Sequence, residues 1–307
     1  MKHSHRLCCG LRWVLLLILL GYTSACGIFR LRHHRWEQQV TRTPEGILEH
    51  SLPFTLAGGD DALLLVHGFG DGPGIWQTLA PGLQAEGFTV RAMRLPGWGE
   101  SPAVKRGIRR ADWEAAIVQE LETLRTHHRR VGVLAHSLGG CLTALLAAQQ
   151  ALPADGLILY APMVAVSNAR SPVLPARTWH EIGRRIVPGG MLIESLFSDH
   201  ARVIEPRPRS ERDPFVPAGL FIELYSAMDA LQAAPRALSI PLRMVLPGED
   251  DVIDLQAARQ WLEELTAPAA ELYVEEAAGH VLPLEVDPEL EAARIRRWFD
   301  EKISSNP

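Results

Sequence analysis

Residues 131–150 read VGVLAHSLGGCLTALLAAQQ, and their pattern decides the fold. The apolar run VGVL is typical of a strand buried on both faces, and the small and apolar residues after Ser137 are typical of a buried helix. A strand, a serine and a helix in immediate succession predict a tight turn that presents the Ser137 hydroxyl at the carboxyl end of the strand. The stretch nearly spells Gly-x-Ser-x-Gly, with Ala135 in place of the first glycine.

The same alternation of strand-like and helix-like segments runs along most of the chain. Apolar runs such as ALLLVHG (62–68) and DGLILYAPM (155–163) predict buried strands, and residues 112–127 predict an amphipathic helix. Repeated alternation predicts an α/β fold, a mostly parallel sheet with helices on both faces. The alternation stops over residues 163–238, and a segment of that length predicts a small helical insertion.

A serine nucleophile needs a base, and His280 is the candidate. Where a serine on such a turn is the nucleophile, the chain order is serine, acid, histidine. After His200 the sequence contains one histidine, His280, which follows the strand-like run ELYVEE (271–276). The order and the position on a loop after a strand therefore predict that His280 deprotonates Ser137.

The acid that orients the base is expected on the loop PGEDDVID (247–254), which follows the preceding strand. We favour Asp251, three residues after Gly248. Asp250 and Asp254 remain as alternatives on the same loop.

The negative charge that develops during acyl transfer needs two backbone donors. The N–H of Leu138, directly after the nucleophile, is one candidate. The other is the N–H of Phe69 in HGFGDG (67–72), which we call the oxyanion loop. His67 and His136 flank this region and are expected to be hydrogen-bonding wall residues rather than bases.

Five segments, in this order and spacing, resemble the α/β-hydrolase superfamily, in particular its monoacylglycerol lipase, lysophospholipase and carboxylesterase branch. They are HGF (67–69), RLPGWGES (94–101), AHSLGG (135–140), GEDD (248–251) and GH (279–280). The resemblance covers about residues 46–302. Two positions depart from the family pattern: Ala135 replaces a glycine, and Trp98 stands where a histidine is frequent.

The resemblance implies an α/β-hydrolase core over residues 46–162 and 239–303, with a helical cap over residues 163–238. It implies a serine ester hydrolase that needs no cofactor or metal. Expected substrates are lipid-derived esters such as monoacylglycerols or lysophospholipids, or short-to-medium acyl esters. A thioesterase, an acyltransferase, or a non-catalytic surface lipoprotein that binds ligands are the alternatives.

Within the expected cap, FIELYSAMDAL (221–231) has helical spacing. This spacing puts Phe221, Tyr225 and Met228 on one helical face. The face either packs structurally or lines an acyl pocket.

The N-terminus has the layout of a signal peptide over residues 1–25, with basic residues and then the apolar run VLLLILLG (14–21). Small residues lead to Cys26, as in bacterial lipoproteins. We therefore expect a lipidated Cys26 and a chain held at the cell envelope, with secretion after Ala25 as second choice and an uncleaved anchor as third. Residues 26–45 are polar and basic and are expected to form a tether.

The charge balance argues against nucleic acid as a partner. The chain carries a formal net charge of −5. Loss of residues 1–25 would remove three positive charges and no negative ones, which makes the net charge −8. An ester substrate and a membrane, reached through the lipid anchor, are the expected partners. Cys141 lies in a helix of small residues and is expected in the core.

Overall fold

The computed structural model describes residues 21, 23–24, 26–195 and 212–303. Most of the predicted signal peptide therefore lies outside the described residues. Among the residues that are described, no helix is long and apolar enough to cross a membrane.

The described strands form a central seven-stranded sheet and a separate two-stranded hairpin. The strands are β1 (Phe54–Leu56), β2 (Asp61–Val66), β3 (Phe88–Ala92), β4 (Arg130–His136), β5 (Gly156–Tyr160), β6 (Leu192–Glu194), β7 (Phe215–Pro217), β8 (Leu242–Pro247) and β9 (Ala270–Glu275). The order in the sheet is β1-β3-β2-β4-β5-β8-β9. Within the seven-stranded sheet only β1 is antiparallel to its neighbour, which confirms the predicted mostly parallel sheet.

Helices cover both faces of the sheet, as strands buried on both sides require. They are α1 (26–37), α2 (Ala80–Ala85), α3 (Pro102–Lys105), α4 (Arg110–Arg125), α5 (Leu138–Ala148), α6 (Ala176–Ile186), α7 (Ala218–Ala233), α8 (Leu255–Glu263), α9 (Leu282–Glu285) and α10 (Pro288–Lys302). Every residue of α5 is buried, because this helix lies between the sheet and helices α4 and α7. Its small residues allow that close packing.

The expected tether at residues 26–45 is not an extended segment. Residues 26–37 form α1, and Trp36 is buried against the Phe215 ring at a centroid distance of 5.7 Å. Arg42 forms an ion pair with Glu37 (2.8 Å), which holds the segment that follows the helix. Contacts of Trp36 and His33 with the Phe215 ring hold this polar stretch against the domain.

The expected helical cap, residues 163–238, is described over 163–195 and 212–238. It contains α6 and α7, and also the antiparallel hairpin of β6 and β7, which was not predicted. Three-residue strands carry too little alternation to be recognised in a sequence. Helix α7 packs on α5 and so brings this segment to the carboxyl edge of the sheet.

The loops that follow β2, β4, β8 and β9 all leave the same edge of the sheet, since these strands are parallel. The loop after β2 is the oxyanion loop, and the loops after β4, β8 and β9 contain Ser137, Asp250 and His280 respectively. The candidate functional residues therefore meet at one edge.

Candidate active site

Ser137 occupies a strained turn between β4 and α5. Its φ is 51° and its ψ is −113°, in a region that costs a non-glycine residue about 1–3 kcal/mol. The Ser137 N–H donates to the Tyr160 carbonyl (3.0 Å), and its own carbonyl accepts from the N–H groups of Cys141 and Met163 (3.0 Å each). These three bonds hold the strained backbone, and the Ser137 side chain faces His280.

Gly139, two residues after Ser137, is closely packed against the end of β2. A Cβ at Gly139 would meet the His67 carbonyl oxygen at 2.7 Å and the Val66 carbonyl oxygen at 2.8 Å. The glycine is needed because α5 starts directly over the end of β2, whereas Ala135 is fully buried within β4.

His280 lies on the loop between β9 and α9, within reach of Ser137. Its Nε2 is 3.1 Å from the Ser137 Oγ, and both residues are buried. Its Nδ1 is 2.7 Å from Asp250 Oδ2. With the proton on Nδ1, Nε2 has a lone pair directed at the serine hydroxyl, which is the arrangement a general base requires.

The preference for Asp251 as the acid is wrong, because Asp250 makes the contact with His280. The second oxygen of Asp250 accepts from the N–H groups of Val252 (2.7 Å) and Ile253 (3.0 Å). This local turn folds the Asp250 side chain back into the site. Asp251 points outward instead, where Arg170 Nε donates to its carboxylate (2.6 Å).

The remaining alternative, Asp254, caps helix α8 by accepting from the Ala257 N–H (3.0 Å). The apolar residues Val252 and Ile253 are both buried, and their N–H groups find their acceptor in Asp250. Buried N–H groups need acceptors, and an aspartate two residues earlier is the common local acceptor.

Asp250 is ionised at neutral pH. Burial raises its pKa, but the charge and hydrogen bond of His280 and the N–H groups of Ile253 and Val252 outweigh burial and bring the pKa below its ordinary value. A fully buried negative charge can therefore hold the His280 Nδ1 proton and stabilise an imidazolium.

The two flanking histidines act as hydrogen-bonding groups, as expected. The Leu95 N–H donates to His67 Nε2 (3.1 Å), so Nδ1 carries the proton and donates to the Gly68 carbonyl (2.9 Å). His136 Nε2 donates to the His280 carbonyl (2.9 Å). Burial lowers the pKa of His67 to about 4 and that of His136 to about 3, so both rings are neutral.

The oxyanion loop lies directly against the nucleophile. A Cβ at Gly68 would be 3.1 Å from the Ser137 Cβ. Leu138 is the first residue of α5, so its N–H is one of the amides that a helix start leaves without an intrahelical acceptor. The donor roles of Phe69 and Leu138 agree with this placement and stay predictions.

Of the three residues expected in an acyl pocket, Phe221 lies beside the oxyanion loop, with its ring 5.0 Å from that of Phe69. Tyr225 faces α6 and stacks on His180 at 3.8 Å. Met228 is buried in the hydrophobic core. Trp98, which replaces a histidine of the family pattern, packs edge-on against Phe69 at 4.8 Å.

A family model described as serine aminopeptidase, S33 (Hydrolase_4) matches residues 59–287, which include all the loops of the candidate site.

Individual relatives are more distant. The mouse monoglyceride lipase is 23% identical over 295 residues, covering 86% of this chain and 95% of its own. Among solved structures, a monoacylglycerol lipase from Paleococcus ferrophilus superposes with a TM-score of 0.67 at 20% identity, covering 81% of this chain and 98% of its own. A soluble variant of the Saccharomyces cerevisiae monoglyceride lipase, with a substrate analogue, gives a TM-score of 0.69 at 15% identity, covering 82% and 92%. These superpositions establish the α/β-hydrolase fold.

Proposed function

The chain belongs to the serine aminopeptidase, S33 (Hydrolase_4) family and is an esterase- and lipase-like α/β-hydrolase, and from that premise we propose that it hydrolyses carboxylic esters through Ser137, His280 and Asp250. One observation carries the proposal. The Ser137 Oγ, both ring nitrogens of His280 and the Asp250 carboxylate form a continuous hydrogen-bonded chain at 3.1 Å and 2.7 Å.

In the first half of the reaction, His280 Nε2 takes the proton from the Ser137 hydroxyl as the oxygen attacks the ester carbonyl. The carbonyl oxygen becomes an oxyanion that accepts from the N–H groups of Phe69 and Leu138. His280 then gives the proton to the leaving alcohol, and the C–O bond to the alcohol breaks. The acyl group remains on Ser137.

In the second half, water gives a proton to His280 Nε2 and attacks the acyl carbonyl. The second tetrahedral intermediate uses the same two backbone donors. His280 returns the proton to the Ser137 oxygen as the acyl bond breaks, and the carboxylic acid leaves. Asp250 stays ionised throughout, because its function is to hold the ring in the correct tautomer and to stabilise the imidazolium.

The substrate we propose is a lipid-derived ester, such as a monoacylglycerol or lysophospholipid, or a short-to-medium acyl ester. Two observations support an apolar acyl group. Phe69, Trp98 and Phe221 place aromatic rings beside the oxyanion loop. Relatives from mouse, rat and human, which cover 86–88% of this chain, are named monoglyceride lipases.

We also propose that the chain is exported and held at the bacterial cell envelope by a lipid on Cys26. The support is the sequence of residues 1–26 alone. Metabolic labelling with palmitate tests this proposal, with Cys26→Ser as the control. Label in the wild type that is lost in the variant is the expected result, and an unlabelled wild type would mean secretion or an uncleaved anchor.

A substrate panel tests the proposed activity. It contains p-nitrophenyl esters of two to sixteen carbons, a glyceryl monoester, a lysophospholipid, an acyl thioester and, because of the family description, an aminoacyl anilide. Each is compared with Ser137→Ala. Turnover of the oxygen esters, lost in the variant, is the expected result. Turnover of the thioester or the anilide alone would replace ester hydrolysis, and no turnover of any substrate by folded protein would leave a ligand-binding protein.

A further inference from the structure

Residues 212–215, at the start of the β6–β7 hairpin's second strand, dock on the oxyanion loop. The Asp213 N–H donates to the Gly70 carbonyl at 3.1 Å. Arg212 Nε is 3.8 Å from Asp71 Oδ1, and both side chains are largely buried. The cap segment therefore makes a backbone hydrogen bond and an ion pair with the loop that contains Phe69.

The side chain of Asp213 joins this contact to a third part of the chain. Its Oδ2 accepts from the Gly99 N–H (2.8 Å), and its Oδ1 pairs with Lys105 Nζ. Lys105 also donates to the Phe215 carbonyl (3.0 Å). Both charged groups are buried, and burial lowers the pKa of Lys105.

Asp213 also holds a second loop, which contains Trp98 and Gly99, and this loop contacts Phe69 as well. Trp98, next to Gly99, packs on the Phe69 ring at 4.8 Å, and Phe221 of α7 packs on it at 5.0 Å. At its beginning the oxyanion loop is held by the bond from His67 to the Gly68 carbonyl. Phe69 thus lies between two residues whose carbonyl groups are held. His67 holds the Gly68 carbonyl, and the Asp213 N–H holds the Gly70 carbonyl.

We propose that Asp213, with Arg212, is a positioning residue for the oxyanion hole. Its backbone N–H holds the Gly70 carbonyl and its carboxylate holds the Gly99 N–H, and together these bonds fix the loop on both sides of Phe69 so that the Phe69 N–H points at the oxyanion. The oxyanion hole is then complete only when the cap segment is docked. This inference rests on the proposed ester hydrolysis and adds to it residues from outside the Ser-His-Asp chain.

A buried ion pair is a poor device for stability alone, since apolar residues of similar size serve as well or better. Its advantage is directional, because each hydrogen bond fixes an atom's position. The chain offers a comparison in Arg130 and Asp61, a buried ion pair at 2.6 Å. That pair lies at the amino ends of β2 and β4, on the opposite edge of the sheet from Ser137.

The test compares kcat and KM of Asp213→Asn, Arg212→Gln and Arg212→Lys with the wild type on p-nitrophenyl butyrate, at a temperature well below each variant's Tm. Asn offers one carbonyl oxygen to two donors, the Gly99 N–H and Lys105 Nζ, so its NH₂ group faces one of them and the side-chain anchor is broken while the backbone bond to Gly70 remains. Loss of a whole oxyanion donor lowers kcat by about 100- to 1,000-fold, so a displaced donor should lower it by about 10- to 100-fold. We expect that loss for Asp213→Asn, a smaller one for Arg212→Gln, an unchanged KM, and near wild-type kcat for Arg212→Lys.

Arg130→Met is the matched control, because it breaks a buried ion pair far from the loop. Its Tm should fall while the kcat of the folded protein is unchanged. If Asp213→Asn does not fold, the contrast between Arg212→Gln and Arg212→Lys decides. Folded variants with wild-type kcat, or equal kcat in the Gln and Lys variants, would overturn the positioning role. Wild-type turnover tests the proposed function separately, because the positioning role is read from the ratio of variant to wild type.

Discussion

Replacing Asp250 by Asn should nearly abolish turnover, whereas the same change at its neighbour Asp251 should not. The Asp250 carboxylate accepts from the N–H groups of Val252 and Ile253 with one oxygen and from His280 Nδ1 with the other. An asparagine must keep its single carbonyl oxygen on the two backbone donors. Its NH₂ group then faces His280 and favours the tautomer with the proton on Nε2, which cannot accept the serine proton.

The size of the effect follows from that tautomer. The corresponding change in a serine protease lowers kcat by about 10⁴-fold, or about 5 kcal/mol of transition-state stabilisation. Asp251 is 39% exposed and its partner Arg170 is 27% exposed, so loss of their ion pair costs at most about 1 kcal/mol of stability. The kcat of Asp251→Asn should therefore remain close to that of the wild type.

The assay is the initial rate of p-nitrophenyl butyrate hydrolysis at saturating substrate, for wild type, Asp250→Asn and Asp251→Asn, with circular dichroism to verify that each is folded. A large loss in kcat with little change in KM is expected for Asp250→Asn only. If Asp251→Asn lost more activity than Asp250→Asn, the assignment of the acid and the reasoning from the local turn would both be refuted.

Three further changes test the elbow and the buried histidines. Ala135→Gly should leave kcat unchanged and lower the free energy of unfolding by about 1 kcal/mol; loss of hydrolysis in a folded variant would contradict this account of the turn. Gly139→Ala, whose new Cβ would overlap the end of β2, should lower the free energy of unfolding by about 1–3 kcal/mol in urea titrations, and an unchanged value would contradict the close approach. Acidification from pH 7 to pH 5 should lower the free energy of unfolding by about 4 kcal/mol, about 2 kcal/mol for each buried histidine. The cause is that both histidines bind a proton near pKa 6.5 in the unfolded chain, whereas folded His67 (pKa about 4) and His136 (pKa about 3) remain neutral. Stability is thus retained above pH 6.5 and lost below it, and His67→Gln should make the loss shallower.

The parts of the fold and site that were predictable from sequence are those with a short-range pattern. The strand-serine-helix succession located the elbow, and one late histidine on a loop after a strand located the base, because parallel strands bring such loops to one edge. The choice between Asp250 and Asp251 needed the direction of a side chain in a tight turn. Asp250 and Asp251 are adjacent and chemically identical. Their distance along the chain from Gly248 therefore could not show which of them faces His280.

Other features depended on contacts between distant residues. The hairpin of β6 and β7 has strands of three residues, too short for a periodic signal. Trp36 is buried in a cluster with Leu48 and Phe215, and the polar and basic composition of residues 26–45 carries no sign of the contact with the distant Phe215. Asp213 is in a polar, arginine-rich stretch, where nothing local distinguishes it from a solvated acid.

The central claim is that Ser137 is a nucleophile activated by His280. Reaction with a fluorophosphonate, followed by mass spectrometry of the peptide that contains residue 137, tests it most directly. The account predicts one phosphonyl adduct per chain, located on Ser137, absent in Ser137→Ala and formed far more slowly in His280→Gln. Folded wild-type protein that forms no adduct, or forms it at another residue, would contradict the claim.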